Sequence, residues 1–183
     1  CWKKHEKLHC KGIIMKQTKK QEKKIPKIFL AFYKYKRPVN NLQSLWFRIC
    51  DNVTKFFTKG NYSHCELAVE QVDGTYLCYS SSVRDKGVRK KVIDILDNEK
   101  WDLEEVTYIK VTPESIEEFF QATKDKKYDL IGALGIVLRI KDNANRYFCS
   151  EWCAECIGYP RAFEYSPVGL YNRMKERNSK YNW

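Results

Sequence analysis

The spacing of hydrophobic residues changes several times along the chain, and each change predicts a different element. After Pro26, the segment KIFLAFYKY is rich in aliphatic and aromatic residues and predicts a strand. Between positions 39 and 60 the apolar residues recur at helical spacing, which predicts a helix that ends before Gly60. These residues are Leu42, Leu45, Trp46, Ile49, Val53, Phe56 and Phe57. An apolar stripe of this kind usually packs against a core.

A run of β-like segments follows the predicted helix. The segments YSHCELAVEQV and GTYLCYSSSV are joined by Asp73 and Gly74, a pair that is typical of tight hairpin turns. The segments GVRKKVIDI and WDLEEVTYIKV continue the pattern. Together these four segments predict an antiparallel sheet.

The last part of the sequence is predicted to be helical. A helix begins at Pro113 in PESIEEFFQATKD, with acidic residues in its first turn. YDLIGALGIVLRI predicts an apolar helix, CSEWCAECIG predicts a helix that stops at Gly158 and Pro160, and SPVGLYNRMKERN predicts a short final helix behind Ser166. A helix, an antiparallel sheet and a helical half describe an α+β fold in which the sheet packs against helices.

The net charge of +11 is concentrated at one end of the chain. Residues 1–37 contain thirteen Lys or Arg and two Asp or Glu, so the charges of the remaining residues sum to zero. We therefore divide the chain into a basic, flexible arm at 1–27 and one domain at 28–183. The Lys-rich arm predicts an anionic partner, either nucleic acid or a membrane surface. No apolar run has the length of a signal peptide or a transmembrane segment.

Eight cysteines without a secretory signal indicate free thiols in a reducing compartment, so we expect a cytoplasmic protein. The chain begins at Cys1 and its first methionine is Met15, which suggests a fragment or a start site placed too far upstream.

Three of the cysteines, Cys149, Cys153 and Cys156, have the spacing of the cluster motif of radical S-adenosylmethionine enzymes. Only 27 residues follow Cys156, and Glu155 stands where those enzymes usually have an aromatic residue, so we do not expect a cluster. On a helix the same spacing places the three sulfurs along one stripe. We expect Cys153 and Cys156 to face the core, and we predict no metal and no cofactor.

Cys149 differs from the other two because it lies at the start of the predicted helix. Unpaired backbone N–H groups and the helix dipole stabilise a thiolate there and lower the pKa of a cysteine. A base must lie nearby, and the only histidine outside the arm is His64, on the strand that begins the sheet. Alternation places Glu66 on the same strand face, so one strand presents an imidazole and a carboxylate together.

These residue types fit nucleophilic catalysis by a thiol. Cys149 is the predicted nucleophile, His64 removes its proton and later protonates the leaving group, and a third polar residue orients the imidazole. Glu66 ranks first for the third role, and Ser80 or Ser82 of the next strand are the alternatives. The backbone N–H of Cys149 would contribute to an oxyanion site.

A histidine on an early strand followed by a cysteine on a late helix resembles the circularly permuted branch of the NlpC/P60 (papain-like) superfamily. The matching segments are SHCELAV, YDLIGALG and YFCSEWC, and the resemblance covers roughly residues 28–175. Members of this branch include the YiiX/YaeF-like proteins and the relatives of lecithin:retinol acyltransferase. The stretch CYSSSVRDKGVRKKVIDI, followed by KWDLEEV, is also similar to a group of phage-encoded proteins of this type.

The resemblance implies a permuted papain-like fold and a thiol hydrolase or acyltransferase that acts on a peptide, amide or ester. It implies that Cys149 is the nucleophile and His64 the base. Tyr128 and Asp129 match a feature that precedes a helix in the family, and both a structural role and a contact with substrate stay open for them. A phage-encoded member would work in the host cytoplasm or in the virion.

Other functions remain open on the sequence alone. A nucleic-acid-binding or phage structural module without catalysis would use the basic arm together with exposed aromatic residues such as Tyr33, Tyr35 and Trp46. A papain-like fold that has lost its activity is disfavoured because Cys149 and His64 are both present.

A zinc protein is a further alternative. Its ligands would come from His64 and the cysteines, or from a group in the arm that consists of Cys1, His5, His9 and Cys10. The sequence does not contain the paired C-x-x-C knuckles that are typical of structural zinc sites, so we do not favour this alternative.

Overall fold

A computed structural model describes residues 25–36, 38–57, 60–107, 110–129 and 145–181. The basic arm up to residue 24 and the part of the predicted apolar helix that follows Asp129 lie outside the described residues. The expectations about the arm, including zinc ligands within it, are therefore predictions from sequence only.

The described residues form seven strands and four α-helices, which confirms the expected α+β class. In chain order they are β1 Ile28–Tyr33, α1 Leu42–Phe57, β2 His64–Glu70, β3 Tyr76–Ser82, β4 Gly87–Val92, β5 Trp101–Glu105, α2 Pro113–Thr123, β6 Lys127–Tyr128, β7 Arg146–Tyr147, α3 Cys149–Cys156 and α4 Pro167–Tyr181. A short 3-10 turn at Ala162–Glu164 connects α3 to α4.

The seven strands form one sheet in the order β5-β1-β2-β3-β4-β6-β7. All neighbouring strands are antiparallel except β6 and β7, which are parallel. Strand β2 is central, since β1 and β3 flank it, and His64 lies opposite Tyr33 at its beginning. The sheet predicted from the four β-like segments is thus confirmed, while the two-residue strands β6 and β7 were not predicted because they are too short to show alternation.

Two glycines allow the backbone to turn or to approach closely. Gly74 has a φ of 83°, the left-handed conformation that glycine adopts without steric cost, and it confirms the predicted hairpin between β2 and β3. Gly87 begins β4 where β6 pairs with it, and a Cβ atom there would overlap the carbonyl oxygen of Lys126. The edge of the sheet therefore closes onto β6 only because this position has no side chain.

Helices α2, α3 and α4 pack on one face of the sheet and form the main core with it. Its large buried side chains are Leu30, Phe32, Leu67, Ile116, Phe148, Trp152, Leu170 and Met174. Cys153 is fully buried in this core and Cys156 is partly buried against it, as expected from the stripe of cysteines. The six described cysteines are all free thiols.

The opposite face of the sheet carries a smaller apolar cluster that consists of Ala31, Tyr33, Ala68, Cys78, Ile95 and Trp101. Tyr33 is buried there, so the expectation of an exposed aromatic at this position is wrong. The reason is that both faces of β1 are covered. Side chains that point to either face of the strand are then buried.

Helix α1 has the predicted bounds but not the predicted orientation. Leu42, Leu45, Trp46 and Ile49 are exposed rather than packed in a core. The expectation of a core-facing stripe is therefore wrong for these four residues. A helical period shows that one face is apolar, but it does not show which environment covers that face.

The helical half contains the expected start signals. The Ser166 side chain accepts a hydrogen bond from Gly169 N at 3.0 Å, which confirms it as the residue that begins α4. Helix α4 runs for 15 residues and is longer than predicted. Among the described residues, no helix combines the length and the apolar character that a membrane span requires.

Thr123, at the end of α2, accepts a hydrogen bond from the buried indole N–H of Trp152 at 2.9 Å. The change Thr123→Val would leave this donor without its partner, so we expect the free energy of unfolding to fall by about 1–3 kcal/mol. Urea unfolding measures this loss. In a Trp152→Phe background, which lacks the donor, the same change should cost clearly less, and an equal cost would contradict the assignment.

Candidate active site

The site begins at the start of β2, where His64 and Glu66 lie on the same strand face, as alternation predicted. His64 Nε2 and Glu66 Oε1 are 2.8 Å apart. The Glu66 side chain is only 1% exposed, whereas that of His64 is 16% exposed. The carboxylate therefore lies beneath the imidazole and holds it by one ring nitrogen.

Arg89 of β4 binds Glu66 from the other side. Its Nη1 donates to Glu66 Oε2 at 2.7 Å, and its Nη2 donates to Oε1. The same guanidinium donates through Nε to Asp85 Oδ2 at 3.1 Å, and Lys91 Nζ also donates to Asp85. His64, Glu66, Arg89, Asp85 and Lys91 thus form one row of alternating charges that leads from the interior to the surface.

This row explains how a buried carboxylate stays ionised. Burial alone would raise the pKa of Glu66, but the charge of Arg89 and then that of His64 outweigh it and lower the pKa to about 2. A bidentate guanidinium–carboxylate pair also fixes the direction in which Glu66 points. The imidazole of His64 is consequently held by a carboxylate that is itself rigidly bound.

Cys149 reaches the site from the other side of the sheet. It is the first residue of α3, after Phe148 at the N-cap, whose backbone N–H is 3.4 Å from Glu151 Oε2. Ser81 Oγ donates to the carbonyl oxygen of Tyr147 at 2.8 Å, which joins β3 to the residue just before this cap. The beginning of α3 is therefore fixed against the middle of the sheet.

The Cys149 thiol and the His64 imidazole lie close enough for each to shift the pKa of the other. Burial would raise the pKa of Cys149, but hydrogen bonding from Cys65 and the charge of His64 lower it to about 5. Burial would lower the pKa of His64, but Glu66 and the Cys149 thiolate raise it to about 10. At neutral pH the two groups are therefore a thiolate and an imidazolium.

A cleft of about 220 Å³ opens on the His64 side of the sheet. Its apolar wall includes Tyr33, Trp101 and Phe47, and its polar lining includes His64, Glu66, Asp51, Arg84, Arg89 and Lys91. Tyr128 also lines this cleft, and its phenol has a raised pKa because of burial and the nearby charge of Cys149. Cys149 itself is fully buried behind this lining.

The remaining candidates make hydrogen bonds to the backbone. Ser80 Oγ donates to the carbonyl oxygen of Cys65 at 2.7 Å, and Ser82 Oγ accepts from the backbone N–H of Arg84 at 3.2 Å. These two hydroxyls are engaged by the backbone, while Glu66 bonds to His64. Asp129 is buried and its backbone N–H donates to the carbonyl oxygen of Tyr147 at 3.0 Å, so it helps to hold the strand before α3.

Sequence reasoning missed Arg89 and Cys65. Arg89 lies opposite Ser80 in the register of β3 and β4, so its meeting with Glu66 depends on two strand pairings at once. Cys65 is next to His64 in sequence, but its thiol lies on the core face and contacts Cys149 there. An arginine inside GVRKKV was the available signal, since a cation between valines on a strand needs an acidic partner.

Comparison with protein-family models and with curated proteins gives no match to this chain. The description of the site therefore depends on its geometry. Among the described residues, no group of three or more His, Cys, Asp or Glu side chains is arranged to hold a metal ion.

The buried carboxylate makes a prediction about stability in acid. Folding lowers the pKa of Glu66 from 4.5 to about 2, so its ionised form stabilises the native state above pH 4.5, and this contribution is lost as the pH falls toward 2. We expect a loss of about 3 kcal/mol of unfolding free energy over this range. The urea midpoint should depend less on pH in Glu66→Gln than in the wild type. In Glu176→Gln, which changes an exposed carboxylate, it should depend on pH as in the wild type. Parallel profiles for wild type and Glu66→Gln would contradict this assignment.

The ion pair predicts how Cys149 reacts with iodoacetamide. Its labelling rate, read per cysteine by mass spectrometry, should rise through pH 5 and stay level through neutral pH. Cys50, whose pKa is raised by burial, serves as the internal reference and should label only in alkali. In His64→Ala the rate at pH 6 should drop at least about tenfold, even allowing for the greater nucleophilicity of a more basic thiolate. A Cys149 rate that rises in step with Cys50 would argue against the pair.

Proposed function

We propose that the protein is a cysteine hydrolase of the amidase or peptidase class. The proposal rests on one observation, the arrangement in which Cys149 begins a helix beside His64, whose Nε2 lies 2.8 Å from Glu66 Oε1. A nucleophile, a base and a group that orients the base are the parts that thiol-dependent acyl transfer requires.

The reaction proceeds in two stages. The Cys149 thiolate attacks the carbonyl carbon of an amide or ester and forms a tetrahedral intermediate. The His64 imidazolium then donates its proton to the leaving amine or alcohol, which leaves a thioester on Cys149. The neutral imidazole next removes a proton from water and becomes an imidazolium, and the resulting hydroxide attacks the thioester. The Cys149 sulfur leaves as a thiolate as the acid product departs, which restores the thiolate–imidazolium pair.

Glu66 acts on the orientation of the base. Because it occupies Nε2 of His64, Nδ1 is the nitrogen that remains to exchange the proton with Cys149 and the leaving group. Arg89 keeps Glu66 ionised and fixed, so the imidazolium is stabilised during the first stage. The serine alternatives do not take this role in the proposal, because their hydroxyls are engaged by the backbone.

The start of α3 supplies donors for the developing oxyanion. The first backbone N–H groups of a helix have no acceptor within the helix, and the N–H of Cys149 is the one nearest its own thiol. The carbonyl oxygen of the bound substrate would lie against this N–H, as expected from the sequence.

We also propose that the fold is the permuted papain-like one. Support comes from the chain order, in which the histidine strand β2 precedes the cysteine helix α3, and from the packing of that helix on the central strands of an antiparallel sheet. The substrate class that follows is a peptide, amide or ester with a group small enough for a cleft of about 220 Å³. Since Cys149 is fully buried, substrate reaches it only when the residues that cover the thiol move.

Incubation with p-nitrophenyl acetate tests the proposal. We expect release of p-nitrophenol together with an acetyl adduct on Cys149, located by mass spectrometry of peptides. Cys149→Ser should abolish the adduct, and His64→Ala should slow it by about 10²-fold or more. Cys153→Ser is the matched control, because Cys153 lies one turn further along the same helix, and it should retain the adduct on Cys149. Acetylation spread evenly over several cysteines would refute the proposed nucleophile.

A further inference from the structure

Helix α1 is an amphipathic helix whose apolar side faces outward. Leu42, Leu45, Trp46 and Ile49 lie one helical turn apart along a single stripe, and they are 85%, 41%, 52% and 44% exposed. Burying such side chains is normally the main source of stability of a surface helix, so a stripe that faces water needs another apolar environment.

The exposed apolar side chains of the described residues are concentrated in the part of the chain that contains the start of α1. Six of the ten large ones fall between positions 35 and 49, and they are Tyr35, Val39, Leu42, Leu45, Trp46 and Ile49. Scattered single hydrophobic residues are normal on a protein surface, but a contiguous group marks an interaction site. We call these six residues the α1 apolar surface.

The inner side of α1 shows why the helix does not simply turn its apolar stripe inward. Phe47, Cys50 and Asp51 line the cleft beside His64. Lys55 Nζ donates to the carbonyl oxygen of Lys34 at 2.9 Å, which joins the last turn to the end of β1. The inner side of α1 thus lines the cleft and is bonded to the end of β1, and rotation of the helix would remove these contacts.

The charge of the chain is concentrated in the same region. Residues 1–57, which end with α1, contain fifteen Lys or Arg and three Asp or Glu, whereas the remainder contains nineteen and twenty. Among the described residues, the exposed Lys36 precedes α1, and the exposed Arg84 lies with its guanidinium 5.2 Å from the centre of the Phe47 ring. The positive charge of the sequence therefore lies in the segment that ends with α1, while the rest of the chain is nearly neutral.

We propose that the α1 apolar surface docks onto a lipid membrane that contains anionic lipids. An apolar stripe with Leu and Trp, on a helix in a basic region, is the composition of helices that lie in the membrane interface. Trp46 lies in the middle of the stripe, and tryptophan is enriched at the level of lipid headgroups. Each Lys or Arg near an anionic surface adds electrostatic attraction, which salt weakens. Insertion of the apolar side chains makes the overall binding less dependent on salt.

Other occupants fit the observations less well. A second copy of the chain would have to make a stable interface of about 20 to 30 residues a side, and the α1 apolar surface supplies six. Nucleic acid would match the positive charge but would leave Leu42, Leu45 and Ile49 in water. The proposal does not depend on the hydrolase activity, since it needs only the position and exposure of α1.

Sedimentation of the full chain with phosphatidylcholine vesicles, with and without phosphatidylserine, tests this docking. The double variant Leu42→Gln, Trp46→Gln replaces two exposed side chains, so it should fold as the wild type does, which the urea midpoint checks. We expect the wild type to bind the phosphatidylserine vesicles and the double variant to bind them at least about tenfold more weakly. Val72→Gln is the matched control, because Val72 is fully exposed just after β2, at the opposite end of that strand from His64 and the cleft that α1 lines, and it should bind as the wild type does.

Three results would overturn the proposal. The first is no binding of the wild type to either kind of vesicle. The second is equal binding of wild type and double variant that added salt abolishes for both, since the Lys-rich arm alone would then account for it. The third is a concentration-dependent dimer of the wild type, seen by light scattering, that the double variant loses without any difference in vesicle binding. A difference between wild type and double variant that persists in high salt would support the docking surface.

Discussion

The ion pair between Glu66 and Arg89 is the interaction on which the rest of the site depends. A carboxylate that is 1% exposed has almost no water to stabilise its charge, so a cation must lie against it at all times. Arg89 meets this need with two donors, and Asp85 in turn pairs with both Arg89 and Lys91 toward the surface. Removing one member of such a buried pair typically costs about 3–5 kcal/mol, because the other charge is left alone. The site and the stability of the sheet are therefore linked through one carboxylate.

Two adjacent residues at the start of strand β2 connect the two faces of the sheet. His64 faces the cleft, while the adjacent Cys65 lies in the main core and contacts Cys149. The helix that carries Cys149 packs against the core side, yet its first residue reaches the imidazole at the end of the strand. This arrangement places the Cys149 sulfur in a buried environment, where hydrogen bonding from Cys65 and the charge of His64 favour the thiolate. It also explains why the pKa of the thiol is low although the thiol is fully buried.

The sequence allowed the order and type of most elements to be predicted, because their signals are local. Alternation in SHCELAV was enough to place His64 and Glu66 together, and the helix predicted for CSEWCAECIG was enough to place Cys149 at a helix start. Arg89 could not be predicted, since its contact with Glu66 depends on the register of strands that are distant in sequence. The orientation of α1 was predicted wrongly because periodicity defines an apolar face without defining its neighbour. The apolar segment after Asp129 and the basic arm lie beyond the described residues, so their predictions stand as they were made.

Position 87 tolerates no side chain without displacement of a neighbouring strand. Strand β6 approaches β4 so closely that a methyl group at this position would meet the carbonyl oxygen of Lys126. The residues that would be displaced lead directly to Tyr128 in the cleft lining, and β6 pairs with β7, which ends two residues before Cys149. A random mutagenesis screen for loss of function should therefore recover substitutions at a glycine that touches neither the thiol nor the imidazole.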